Sequence, residues 1–204
     1  MSDFTAKDVQ TLRHSTGVGM MDAKKALTES GGDYDKAVEY LREKGLAASA
    51  KRADRDASEG AIGSYLHPQS DRDVSGVLVY LSSETDFVAK SDEFKQVARD
   101  LAMHIAWGKP RWLNRDDVPE EDLETERRLI AKQAENEGKP ADVIPKIVEG
   151  RLNKFYADNV LLDQTFVRSD KFEGSVGDMV AALAAKMGEN ISIKSFARLA
   201  VGEE

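Results

Sequence analysis

Glu84 and Asp86, two residues apart, could form a paired-carboxylate acid/base site, with His104 as a third titratable group. In a chain where 32% of residues are charged, two neighbouring acids read most simply as solvated surface. The three histidines, His14, His67 and His104, show no ligand spacing and do not point to zinc. His104, in "AMHIA", lies beside an apolar stripe and reads as a half-buried packing histidine. "GVG" at 17–19 has no following Gly-Lys-Ser/Thr and so is not a phosphate-cradling loop. Cysteine is absent, which removes thiolate nucleophiles and disulfides; without a GxSxG turn, covalent catalysis has little support.

A different kind of group stands out in "ETDFVAKSDEF" (84–94). Phe87 follows two acids and a threonine at the junction between a strand-like run and a helix start. From the residues alone two readings are open. The ring packs inward, against Phe94, as a hydrophobic staple, or it waits for a partner's surface. The same choice applies to Leu12, Val18, Met20 and Met21. They could be the core of a small bundle, but so small a unit cannot hide them all, and adjacent methionines cannot both face inward. An exposed methionine is a good adaptable contact.

The elements that must hold these residues follow from period and punctuation. Thr5 with Asp8 resembles a capping box and opens a first helix carrying Val9 and Leu12. Gly17 and Gly19 suit a turn through positive φ. Met20, Ala23 and Leu27 mark a second helix; Asp33 caps a third, with Tyr34, Val38 and Leu41, which Gly45 is expected to stop. Residues 1–45 thus read as a three-helix domain, and the alanine-rich, charged segment 46–59 as a semi-rigid helical linker.

From residue 60 the period shortens. "AIGSYLH" (61–67) and "GVLVYLS" (76–82) are strand-like, with 68–75 as the hairpin loop. Ser91 caps a helix with Phe94, Val97, Ala98, Leu101 and Ile105 on one stripe, ended by Gly108 and Pro110. Two charged helices, about 117–137 and 141–157, meet at the reversal "EGKP" (137–140) and form a thin-seamed helical hairpin within 116–158, protruding from a core spanning 60–204. "QTFV" (164–167) is a short strand or extended loop, Ser175 caps a helix to Lys186, and "NISIKSFARLAV" (190–201) alternates like a final strand. The fold class is α+β: a three-helix bundle, then an antiparallel three-stranded sheet with helices and the hairpin.

Composition narrows the function class. Apolar residues make up 41% of the chain, and no apolar run approaches the ~20 residues of a membrane span. The N-terminal stretch lacks the pattern of a secretion signal, and with no cysteine a cytoplasmic location is expected. The formal net charge of −8 argues against binding nucleic acid through its phosphates. A protein or small molecule is the better expected partner.

Two stretches then carry a resemblance. "LRHSTGVGMMDAKKAL" (12–27) and "ETDFVAKSDEF" (84–94) resemble the two signatures of the translation elongation factor Ts family. "DLAMHIA", "EGKP", "KIVEGRLNKF" and "LLDQTFV" are similar to later family stretches in the same order, so the likeness covers nearly the whole chain. One sheet-and-helix unit carries both TDFVA and AMHIA, as in short family members. The resemblance implies a guanine-nucleotide exchange factor for elongation factor Tu, not an enzyme, with no cofactor of its own. It implies that Thr85, Asp86, Phe87 and Val88 disturb the GTPase's Mg²⁺ and phosphate site. It further implies contacts from Leu12, Val18, Met20, Met21 and Lys24 of a bundle with the ubiquitin-associated fold, and from Gly76, Val77 and His104. Short members are expected to be homodimers, giving a two-plus-two complex. Ser75, Ser83 and Ala197 depart from common family residues, and Ala197, where some short members carry a cysteine, makes any such dimer non-covalent. Two rival readings remain at this stage: an adaptor that binds without altering a nucleotide, and an acid/base enzyme built on Glu84, Asp86 and His104.

Overall fold

The computed structural model describes residues 4–16, 18–52 and 54–203. Gly17, for which a positive φ was expected, lies outside them. Three helices open the chain: α1 (Ala6–Thr16), α2 (Met20–Glu29) and α3 (Tyr34–Ala50). The Thr5 hydroxyl and Asp8 carboxylate exchange the expected capping bonds, with the Thr5 N–H donating to Asp8 Oδ2 at 2.7 Å. Asp33 Oδ1 accepts from the Lys36 N–H at 3.1 Å and starts α3. Gly19 has φ −64°, so the turn before α2 needs no left-handed glycine there. Val9, Leu12, Ala23, Ala26, Leu27, Ala37 and Leu41 form the bundle's own small core.

Gly45 does not stop α3, which runs five residues further to Ala50. A glycine inside a helix costs only about 1 kcal/mol, and α3 has a surface to lie on: it packs against α8 (Val176–Met187). Arg42 fixes the contact with a two-pronged bond to Asp178, Nε to Oδ1 at 2.7 Å and Nη2 to Oδ2 at 2.6 Å.

The sheet has strands β1 (Glu59–Gln69), β2 (Arg72–Ser83) and β3 (Ser192–Ala200), antiparallel throughout, with β2 in the centre. The β1–β2 loop is tighter than the eight-residue one expected. The strands continue to Gln69 and Arg72, Ser70 turns with φ 60°, and the register slips once at His67/Pro68. On the inner face Val77, Val79, Leu81 and Ile193 meet α5 (Asp92–Gly108) and α8 in the main core with Phe94, Ala98, Leu101 and Ile105. Among the described residues nothing covers the outer face: Ile62, Leu66, Leu78 and Leu199 are each more than half exposed.

The helical hairpin is α6 (Glu120–Asn136) and α7 (Ile144–Asn159), reversed at Gly138 with φ 72°. Its seam is Leu123, Ile130 and Leu152, with Ile147, Val148 and Phe155 half-buried beside them. Thr165 forms a single antiparallel bridge to Ser175, so the 164–167 segment is an extended loop with one strand-like contact.

Candidate partner-binding site

β2 ends at Ser83 and delivers the chain into a four-residue helix, α4 (Asp86–Ala89). Thr85 is its N-cap, extended at φ −124°, ψ 151°, and its hydroxyl oxygen accepts from the Val88 N–H at 3.3 Å. Val88 and Ala89 are buried in the main core and anchor the turn from below. Phe87, between Asp86 and Val88, points the other way and is 83% exposed. The staple reading therefore fails: Phe94 is sealed in the core while Phe87 stands outside it. A benzyl side chain this exposed on an anchored turn has no packing partner among the described residues. It is a feature that asks for a partner.

The charged groups around the ring are engaged. Asp86 and Lys90 form an ion pair one helical turn apart, and the bond from Lys90 holds the Asp86 carboxyl below the usual carboxylate range. Glu84 accepts at Oε1 from the Asn190 N–H and faces Arg55 Nη1 at 3.4 Å. His104 is completely buried. Its Nδ1 accepts from the Val167 N–H at 3.2 Å, which puts the ring proton on Nε2, donating to Gln164 Oε1 at 3.0 Å. Burial lowers its pKa and keeps it neutral. Glu84, Asp86 and His104 are thus tied to three different sets of neighbours, and none lines the cavities at the bundle–α8 contact or the open end of the sheet. They do not form an acid/base site. Among the described residues, no group of three or more His, Asp and Glu side chains could hold a metal ion.

In the bundle, Met20 and Met21 open α2 and are 47% and 75% exposed; Lys24 is exposed one turn on and Val18 is half-buried. Leu12, by contrast, is wholly inside the bundle core, as Val77 is inside the main core and His104 is beneath it. All three, expected to touch a partner, present almost no side-chain surface in this chain. Gly76 is half-buried in the central strand. Of the three departures, Ser83 is buried with its hydroxyl donating to the Thr85 carbonyl at 3.0 Å, and Ala197 lies exposed on β3 opposite Leu78.

The exposed ring on its buried anchor and the exposed methionine pair lie in a chain that resembles known proteins along nearly its whole length. The family model described as Elongation factor TS matches residues 6–203. The chain belongs to the elongation factor Ts family. Relatives named Elongation factor Ts include that of Carboxydothermus hydrogenoformans, 51% identical over 200 residues, covering 98% of this chain and 90% of the relative. That of Moorella thermoacetica is 48% identical over 200 residues, covering 98% and 96%. That of Geobacter metallireducens is 49% identical over 201 residues, covering 98% and 90%. The elongation factor Ts match embraces both the methionine-bearing bundle and the Phe87 turn.

What sequence reading missed is Glu189. Its carboxylate accepts from the backbone N–H groups of Glu84 (3.0 Å) and Thr85 (3.2 Å) and from the Thr85 hydroxyl (2.6 Å). Nothing local in "GENI" signals a bond across more than a hundred residues.

Proposed function

We propose that this chain is the guanine-nucleotide exchange factor for elongation factor Tu and that Phe87 is its working wedge. The exposure of Phe87 on a turn whose neighbours Val88 and Ala89 are buried carries the reading. Exchange requires no bond chemistry. The factor and the nucleotide each weaken the other's hold on the GTPase by the same ratio, so the factor must favour the empty form. A ring driven between elements around a Mg²⁺ and phosphate site does this, because Mg²⁺ tolerates little departure from octahedral geometry. Thr85 and Val88 set the ring's position, and Asp86, held ionised by Lys90, contacts the GTPase beside it. Burying one phenylalanine contributes about 1.5–3 kcal/mol, whereas a nanomolar GDP site holds about 12 kcal/mol. Several contacts act together.

The bundle, residues 1–45, supplies others as the docking unit; residues 46–59 join it to the working unit 60–204, which carries the hairpin 116–158. Met20, Met21, Lys24 and the accessible part of Val18 make the contact, with Leu12 beneath them. Gly76 adds a contact near the core, with Val77 and His104 shaping it from inside. Met20→Ala is expected to raise the Kd for the GTPase about tenfold, the worth of one methionine's contact area. The rate of GDP release at saturating factor changes less. Titration calorimetry and a release assay on the same variant separate the two.

The deciding experiment loads elongation factor Tu with fluorescent GDP and adds this chain. Rapid release supports exchange; binding with release unchanged means an adaptor and overturns it. The setting is the cytoplasm, without nucleic acid or membrane as a partner.

We also propose a homodimer in a two-plus-two complex. Ile62, Leu66, Leu78 and Leu199 form an uncovered apolar face on a three-stranded sheet, and a second copy of the same face would cover it. A sizing measurement should then report twice the 22.5 kDa chain mass. Leu78→Asp, placing a charge at the centre of the face, should return the monomer; an unchanged elution would exclude this face as the contact.

A further inference from the structure

The four-residue helix that presents Phe87 is too short to hold its own direction. One turn of helix fixes several dihedrals for very few hydrogen bonds and is unfavourable in isolation. Two things fix α4 here. Val88 and Ala89 anchor it from the core, and a carboxylate from the far end of the chain holds the turn that leads into it. We infer that Glu189 is a positioning residue for Phe87: its carboxylate locks the Glu84–Thr85 turn and thereby aims the ring. The inference rests on the exchange reading above.

The geometry is specific. α8 ends at Met187, and Gly188 takes the left-handed conformation, φ 74°, which reverses the chain and brings Glu189 back toward β2. Glu189 Oε2 collects the N–H groups of Glu84 and Thr85, which β2 has just left without strand partners; Oε1 takes the Thr85 hydroxyl proton. That last bond has a consequence for the cap. With its proton committed to Glu189, the Thr85 oxygen presents a lone pair to the Val88 N–H, so Glu189 orients the hydroxyl that starts α4.

The hold is reciprocal. Glu84 accepts from the Asn190 N–H and faces Arg55, whose carbonyl accepts from Asn190 Nδ2 at 2.8 Å. Each of the two loops thus supplies a carboxylate to the other's backbone, and the linker is stitched to both. A neutral side chain at 189 could not replace this. Gln presents one acceptor where Glu189 uses two, and leaves its NH₂ against a hydroxyl that must then turn away from its present role. Ala leaves three donors without an acceptor.

The test uses the full chain as Glu189→Ala, Glu189→Gln, Phe87→Ala and the double variant Glu189→Ala/Phe87→Ala. Amide hydrogen exchange, read without the GTPase, should show loss of protection at Glu84, Thr85 and Val88 in Glu189→Ala, with the central part of β2 unchanged. Unchanged protection at Glu84 and Thr85 would overturn the clamp whether or not the chain is an exchange factor. In the GDP-release assay, Glu189→Ala should lower the maximal rate about tenfold, as expected for hydrogen bonds to a charged group. Half-saturation should move less, and Glu189→Gln should recover part of the loss. In the double variant the losses should overlap rather than multiply, since a removed ring cannot be misaimed. Lost protection with an unchanged maximal rate, or fully multiplicative losses, would overturn the positioning role. Should wild-type chain release no GDP at all, the exchange reading fails and the positioning role falls with it, while hydrogen exchange still decides whether the clamp exists.

Discussion

Phe87→Ala is expected to slow factor-driven GDP release from elongation factor Tu by roughly 30-fold or more, the cost of removing an aromatic hot spot of at least about 2 kcal/mol. The chain itself should hardly notice. With the ring 83% exposed, the thermal midpoint should reflect a change within about 0.5 kcal/mol. The pairing of a large functional loss with an intact fold is the diagnostic, because a core residue would damage both. Stopped-flow release and a melting curve on the same preparation are enough. A wild-type release rate from this variant would remove the wedge from the proposal.

The second large effect is on stability. Gly63 lies in β1 where α5 crosses closest: a Cβ there would sit 2.0 Å from the Ala98 carbonyl oxygen and 2.3 Å from its carbonyl carbon. Both are backbone atoms of a helix packed in the main core, so neither can swing aside. Gly63→Ala must push α5 off the sheet, and overpacking of this kind costs about 3 kcal/mol or more. Denaturant unfolding should show the midpoint fall accordingly. Because only Lys90 and Ser91 separate α4 from α5, a shifted α5 also drags the base of the Phe87 turn, and release should weaken alongside stability. Gly150, exposed on α7 with open space where its Cβ would be, is the control: Gly150→Ala should be neutral or slightly stabilising.

Local signals were the legible ones. The caps at Thr5, Asp33, Ser91 and Ser175 involve partners within three residues, and each forms the bond its spacing implies. The apolar stripes did as well: Phe94, Ala98, Leu101 and Ile105 all reach the core, Leu123 and Ile130 reach the hairpin seam, and Ala134 is buried. Reading went astray where a distant surface decides the outcome. Gly45 carries no sign that α8 will lie beside α3 and extend it. Phe87 is not such a case: the residues alone leave both placements open, the family resemblance implies an outward ring, and its 83% exposure agrees. Leu12 and His104 sit within stretches that resemble the family's and Val77 lies in the central strand; all three are buried, and resemblance alone does not say whether a position touches a partner or supports a residue that does. Glu189 is the plainest case: one more acid in an acidic chain until folding sets it against two backbone amides.

The helical hairpin has a geometric consequence at its root. α6 is 17 residues long, about 25 Å at 1.5 Å per residue, so each degree of tilt at its foot displaces the far end by about 0.4 Å. Gln164 sits at that foot. Its amide donates to the Gly108 carbonyl at the end of α5 and the Asp158 carbonyl at the end of α7, both at 2.9 Å, while its oxygen holds His104. Three bonds on one planar amide make a stiff hinge pin, and whatever the outer tip reaches inherits its pointing accuracy from that buried glutamine.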